Sequence, residues 1–173
     1  MCWQCDNPTK TTDEYVREVL LPAIECHGWA VQAVEGGRRS APFAYTVGLT
    51  EAGLPELLVT GMAAYRAAAL LNVAAAHWLH AEPLPVHGAH LDLEHVCLEL
   101  VDLPQPDAHL LMAVRLYGRE AVTAQQLVRA DDRGRWPWDR GHRAGRGGQP
   151  VLGPRAELRS GACLRSAAAS GGG

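Results

Sequence analysis

The chain predicts an α+β fold: a single domain with a mixed or mainly antiparallel sheet of about five strands, covered by two to three helices. Three observations carry that reading. Short segments alternate apolar and polar residues with period two, as at Phe43, Tyr45, Val47 and Leu49, which is what a half-buried strand requires. Other segments carry the spacing of a helix with one buried face, bounded by start and stop residues. Between them lie glycine, proline and aspartate breaks, and 47% hydrophobic content over 173 residues is enough for one core.

Taken in order, the first helix opens with Thr11 and Glu14 at capping-box spacing, and Val16, Val19, Leu20, Ala23 and Ile24 share one face. Gly28 is its stop. Pro22 falls inside it and predicts a kink or a shortened helix. Trp29, Val31 and Ala33 then alternate with polar or small neighbours, and Gly36-Gly37 turns this strand into a hairpin with residues 43–49. Glu51 to Gly53 break the chain, Pro55 restarts it, and Leu57 to Thr60 supply another core strand.

Residues 63–80 are rich in alanine and leucine without a breaker, so a buried helix covering the sheet is expected. Pro83 and Pro85 end it. Leu91 and Leu93 start a period-two pattern whose parity flips near Glu94 and His95, after which Val96, Leu98 and Leu100 are the apolar set; a turn or a bulge must lie there. Asp107 is a candidate cap for a helix carrying Leu110, Leu111, Val114 and Tyr117, closed by Gly118, and a last strand is expected over residues 122–128. The organisation is therefore a cysteine-containing segment at 1–10, one globular domain at 11–152, and a Gly/Ala/Arg-rich tail at 153–173 with little regular structure.

Charge is unevenly placed. Residues 1–128 hold fifteen acidic against seven basic side chains, a balance of -8, whereas residues 129–173 hold four against nine, a balance of +5 made entirely of arginine. The basic end is read first as a partner for the domain's own acidic surface, ahead of nucleic-acid phosphate. No run approaches the roughly 20 apolar residues of a bilayer span, and the first residues lack the basic and apolar regions of a secretory signal, so a cytoplasmic protein is expected. Five cysteines without framework spacing fit a reducing compartment and direct attention to thiol or metal chemistry.

Two constellations compete for function. Cys2 and Cys5 form a CxxC, half a zinc ligand set; His77 and His80 would share a helical face, and His95 and Cys97 a strand face. A metal-dependent enzyme holding zinc on these His and Cys residues is the alternative reading, against which solvated histidines and a small buried cysteine are the ordinary expectation. A thiol, imidazole and carboxylate set can be written from Cys97, His95 and Glu99, yet same-face strand neighbours stand about 6–7 Å apart, too far for direct hydrogen bonds. No GxSxG, Walker or GxGxxG sequence is present.

The second constellation is the segment RADDRGRWPWDRG at 129–141, where two large rings flank a proline and acids and arginines surround them. Trp136 and Trp138 are either packing residues or a stacking surface. The preferred function is a small binding or interaction module whose groove is lined by Tyr45, Glu56, Trp136 and Trp138 with Asp132 beside them, taking a small molecule or a protein, with nucleic acid less favoured.

Several stretches together resemble a bacterial family, the domain of unknown function family 4262. They are Cys2-Trp-Gln-Cys5-Asp6, His27-Gly28-Trp29-Ala30-Val31, Tyr45-Thr46-Val47-Gly48-Leu49, Pro55-Glu56-Leu57 with Gly61, Leu71-Asn72, Gln126-Leu127-Val128, and Asp132-Arg133-Gly134-Arg135-Trp136-Pro137-Trp138. The likeness spans most of residues 1–150 and leaves out the tail after Arg155. It implies a single small α+β domain and carries no reaction.

Overall fold

The computed structural model describes residues 9–38, 40–81, 83–93, 95–142 and 148–155. Helix α1 starts as its sequence dictates: the Glu14 N–H donates to Thr11 Oγ1 at 3.3 Å and the Thr11 N–H to Glu14 Oε2 at 2.7 Å. It runs through Thr12–Tyr15, a π-helical stretch at Val16–Leu20, and Leu21–His27. That stretch is how Pro22 is accommodated. The wider turn ends with the Leu21 N–H donating to Val16 O, and Pro22 enters at the head of the following α-helical segment, where a missing N–H is tolerated. Gly28, at φ 86°, closes the helix by donating to Ile24 O at 2.7 Å.

The sheet has six strands rather than five: β1 (Ala30–Val34), β2 (Phe43–Val47), β3 (Glu56–Thr60), β4 (His90–Leu93), β5 (Val96–Asp102) and β6 (Ala124–Arg129), in the order β1-β2-β3-β6-β5-β4. The extra strand comes from the parity flip. His95 sits at φ 68° in a tight reversal and Leu93 pairs with Val96, so the flip marks a hairpin between two strands and not a bulge within one. All neighbouring pairs are antiparallel except β3 with β6.

Helix α2 (Ala64–Trp78) lies on one face. Its Ala67, Leu70, Leu71, Ala74, Ala75 and Trp78 pack on Ala44, Leu57, Val59, Leu98, Leu100 and Leu127. Only that stripe is buried, since Tyr65 on the same helix is 71% exposed. On the opposite face α1 and helix α3 (Leu111–Tyr117) cover Tyr45, Val47 and Leu58. Asp107 does not cap α3; it lies in a short 3-10 turn and pairs with Arg119 at 3.2 Å, while α3 opens from Leu110 without a side-chain cap.

Tyr45 is buried under α3, and its hydroxyl accepts the Met112 N–H at 3.2 Å. Burial, the largest cause, pushes that hydroxyl up to about 12, and burial followed by the hydrogen bond to Glu51 raises Tyr117 as well. The unfolded chain loses these protons near the ordinary value of 10 while the folded chain holds them. Stability present below pH 10 is therefore lost as pH rises toward about 12. Urea midpoints followed across that range are expected to fall steeply, and Tyr45→Phe to flatten the slope; an unchanged slope would contradict the assignment.

The segment at 148–155 is part of the fold. β3 and β6 pair only from Glu56↔Ala124 to Leu58↔Gln126, and past that point they separate. The Gln149 carboxamide fills the gap in the manner of a strand, donating to Arg129 O at 2.8 Å and accepting the Arg129 N–H at 3.2 Å. Pro150 O accepts from Thr60 Oγ1 and Gln126 Nε2, each at 2.7 Å, and Gln126 Oε1 accepts the Leu152 N–H at 2.8 Å. Gln126, fully buried, is thereby satisfied at both ends. Gly153 follows against the backbone of Asp102, so close packing continues past the expected domain boundary at Leu152. Of the expected tail at 153–173, residues 156–173 lie outside the described residues. Among those residues no helix is long and apolar enough to cross a membrane.

Candidate functional site

The loop after β6 is built around two aspartates. Asp131 Oδ1 accepts the N–H groups of Arg133 and Arg135, each at 2.9 Å, and its Oδ2 accepts Arg135 Nε at 2.9 Å and Nη2 at 2.8 Å. A carboxylate that organises its own turn and binds a guanidinium at the same time fixes the loop's direction. Asp139 closes the next turn, its Oδ2 accepting the Trp136 N–H at 2.8 Å while its own N–H donates to Trp136 O. Pro137 fixes φ between the two rings. The result is a stacked indole pair, Trp136 and Trp138, with centroids 5.7 Å apart and planes 14° from parallel.

This pair is the middle of a longer column. His90 on β4 stacks against Trp136 at 5.1 Å, and the Arg155 guanidinium lies 4.5 Å from the centroid of Trp138. His90 Nε2 is 3.0 Å from Glu99 Oε2, and Glu99 is only 4% exposed, so a buried carboxylate orients the imidazole at the foot of the column. Both tryptophans are half-buried, Arg155 is exposed, and Trp138 Nε1 is sealed from solvent without a hydrogen-bond partner. Asp132 and Asp139 are exposed beside the loop. The column thus presents stacked aromatic faces, one of them covered by an arginine.

Two residues expected in an aromatic groove lie elsewhere. Tyr45 belongs to the core under α1 and α3, and β3, β6 and β5 intervene between its strand and the β4 edge where Trp136 stacks. Glu56 is 0% exposed. Its Oε2 accepts Thr46 Oγ1 at 2.6 Å, and its Oε1 accepts the Gly48 N–H at 2.9 Å, the Thr50 N–H at 3.0 Å and the Thr50 hydroxyl at 2.8 Å. Every direction in which this carboxylate could reach a ligand is occupied by the turn after β2. Asp132 faces solvent and acts electrostatically on Arg129.

The His and Cys positions are likewise dispersed. His77 sits on α2 edge-on to Trp78, at 5.8 Å, and His80 is exposed just beyond the helix end. His95 is the left-handed turn residue between β4 and β5, and Cys97 is disulfide-bonded, which takes it out of the thiolate ligand set and out of the expectation that the cysteines are reduced. Cys26 is free and exposed. Cys2 and Cys5 lie outside the described residues. Among the described residues no three His, Cys, Asp or Glu side chains converge on one point.

In the sequence Glu99 groups with His95 and Cys97 rather than with His90, and nothing singles out Arg155, although one signal for the His90–Glu99 pair is there. A hairpin reversal between Leu93 and Val96 sets His90 opposite Glu99 by counting outward from the turn. Arg155 carries no such signal, because its position depends on how residues 148–155 cross the sheet.

Residues 23–143 match the family model described as Domain of unknown function (DUF4262). No curated protein and no solved structure matches the chain.

Proposed function

We propose, for a chain that belongs to the domain of unknown function family DUF4262, that it is a binding module whose recognition surface is the Trp136–Trp138 pair. Its ligand is a guanidinium or ammonium group carried by a small molecule or a peptide. The single observation behind this reading is the chain's own Arg155 guanidinium, 4.5 Å from the Trp138 centroid. A cation over an indole face is attracted by the ring quadrupole, and a second parallel indole beneath leaves that face flat and rigid. Exposed Asp132 and Asp139, with the net -8 of residues 1–128, favour the same sign of ligand.

If Arg155 occupies the surface that a ligand would use, removing it frees that surface. Titration with N-acetyl-arginine amide, read on the indole N–H resonances, is expected to show tighter binding to Arg155→Ala by roughly 2- to 5-fold, the worth of one exposed cation–π contact. Trp138→Leu, which retains an apolar side chain against Trp136, should abolish the response. Equal titration of Trp138→Leu and the parent chain would remove the reading.

A further inference from the structure

On the face opposite the aromatic column, two arginines act on each other without an ion pair to either among the described residues. Arg129 ends β6 two residues after Leu127 and opposite Leu98, both of which face α2, so its side chain starts on that face. It is half-buried, its Nε is sealed from solvent with no hydrogen-bond partner, and its guanidinium joins none of the ion pairs among the described residues. Burial lowers its pKa most, the charge of Arg66 lowers it further, and exposed Asp132 offsets this only through space.

Among the described residues Arg66 has no carboxylate partner either. Its Nε donates to Tyr65 Oη at 3.0 Å and its guanidinium rests over the Tyr65 ring. Arg66 also stands in the first turn of α2, a 15-residue helix whose N-cap, Ala63, offers no side-chain acceptor. Helix N-termini carry partial positive charge and favour acidic residues, so an arginine in that turn is unfavourable unless an anion is near. The parallel neighbours β3 and β6 both run toward this end, with α2 following β3 directly. Loops at the carboxyl ends of parallel strands are where α/β sheets take their ligands.

We propose that Arg66, Arg129 and the N-terminus of α2 form a binding site for a phosphate group. Two unpaired guanidiniums and a helix end are matched by a dianion; a carboxylate supplies half the charge and cannot present three oxygens to separate donors. The Nε of half-buried Arg129, sealed without a hydrogen-bond partner, is costly in the empty protein, and an anion bound beside it relieves part of that cost.

Thermal unfolding in phosphate-free buffer, with inorganic phosphate, acetate or ribose 5-phosphate added at matched ionic strength, tests the site. Inorganic phosphate is expected to raise the midpoint saturably, and acetate at the same concentration to do much less. Arg129→Met should lose the phosphate response while being at least as stable as the parent chain without phosphate, because the uncompensated charge is gone. Arg66→Gln, a change at an exposed position, should weaken the half-saturating phosphate concentration several-fold and decides the matter if Arg129→Met fails to fold. A tighter response to ribose 5-phosphate than to inorganic phosphate identifies a phosphorylated small molecule as the ligand; an equal response identifies the phosphate group alone. A parent-like phosphate response in both variants, or a shift that follows ionic strength without saturating, overturns the proposal.

Discussion

Glu56→Ala is expected to destabilise the fold by about 3–5 kcal/mol, seen as a large drop in the urea midpoint with little change in slope. The carboxylate satisfies the N–H groups of Gly48 and Thr50 and the Thr50 hydroxyl in the turn that carries β2 into β3, and the hydroxyl of Thr46 within β2. Truncation strands the Thr46 hydroxyl and the Gly48 N–H in buried surroundings, while the two donors of half-buried Thr50 lose their acceptor as well. Each orphaned buried donor costs about 1–3 kcal/mol, less whatever the turn recovers by relaxing. Thr46 is tied in twice over, because its Oγ1 also accepts the Leu57 N–H at 2.8 Å. Glu56→Gln is expected to lose less, since one oxygen remains to accept while the new NH2 meets donors it cannot satisfy. A glutamate on a solvent-facing groove would change stability by under about 0.5 kcal/mol when truncated; a result of that size would contradict the buried placement.

Gly61→Ala is the second substitution with a large expected effect. At φ 68° a side chain is strained, and an added Cβ would stand 2.0 Å from Gly148 O and 3.0 Å from the Cα of Gln149. Both neighbours are backbone, so nothing flexible can give way. The strap at 148–153 should be displaced, which breaks the bonds that Gln126 makes to Pro150 and Leu152 and leaves a fully buried carboxamide unsatisfied. A loss of about 3 kcal/mol or more is expected, with rapid proteolysis within residues 148–155. Gly53→Ala is the control. Its φ of 71° imposes the same backbone strain, yet nothing lies within 4 Å of the added Cβ, so only the conformational cost of about 1–2 kcal/mol should appear. Equal losses at the two positions would mean that strain alone, and not the strap, governs Gly61.

The local devices of this chain were legible because they depend on residues close together in sequence. The Thr11–Glu14 box, the Gly28 stop, the alternation of β2 and the buried stripe of α2 follow from periodicity and from the capping chemistry of single side chains. The parity flip at Glu94 and His95 was equally visible, but choosing a hairpin over a bulge requires knowing whether the two halves pair. That pairing is a contact between strands, and with it came the sixth strand and the opposition of His90 to Glu99.

The candidate sites were less legible, for the same reason taken further. Trp136 and Trp138 could be recognised as unusual from the sequence, and the aspartates that frame them lie within five residues on either side. Whether Glu56 meets solvent was decided by the turn that folds back over it, and whether Tyr45 joins the tryptophans by a strand order that inserts β3, β6 and β5 between them. The sequence by itself determined the α+β class, the family and the two ends of α1, since short-range sterics and hydrogen bonding govern such caps. Tertiary structure alone decided which polar groups are spent inside the fold and which charges, Arg129 and Arg155 foremost, are left facing a surface. Burial and charge compensation are sums over residues far apart in the chain, and no local pattern encodes them.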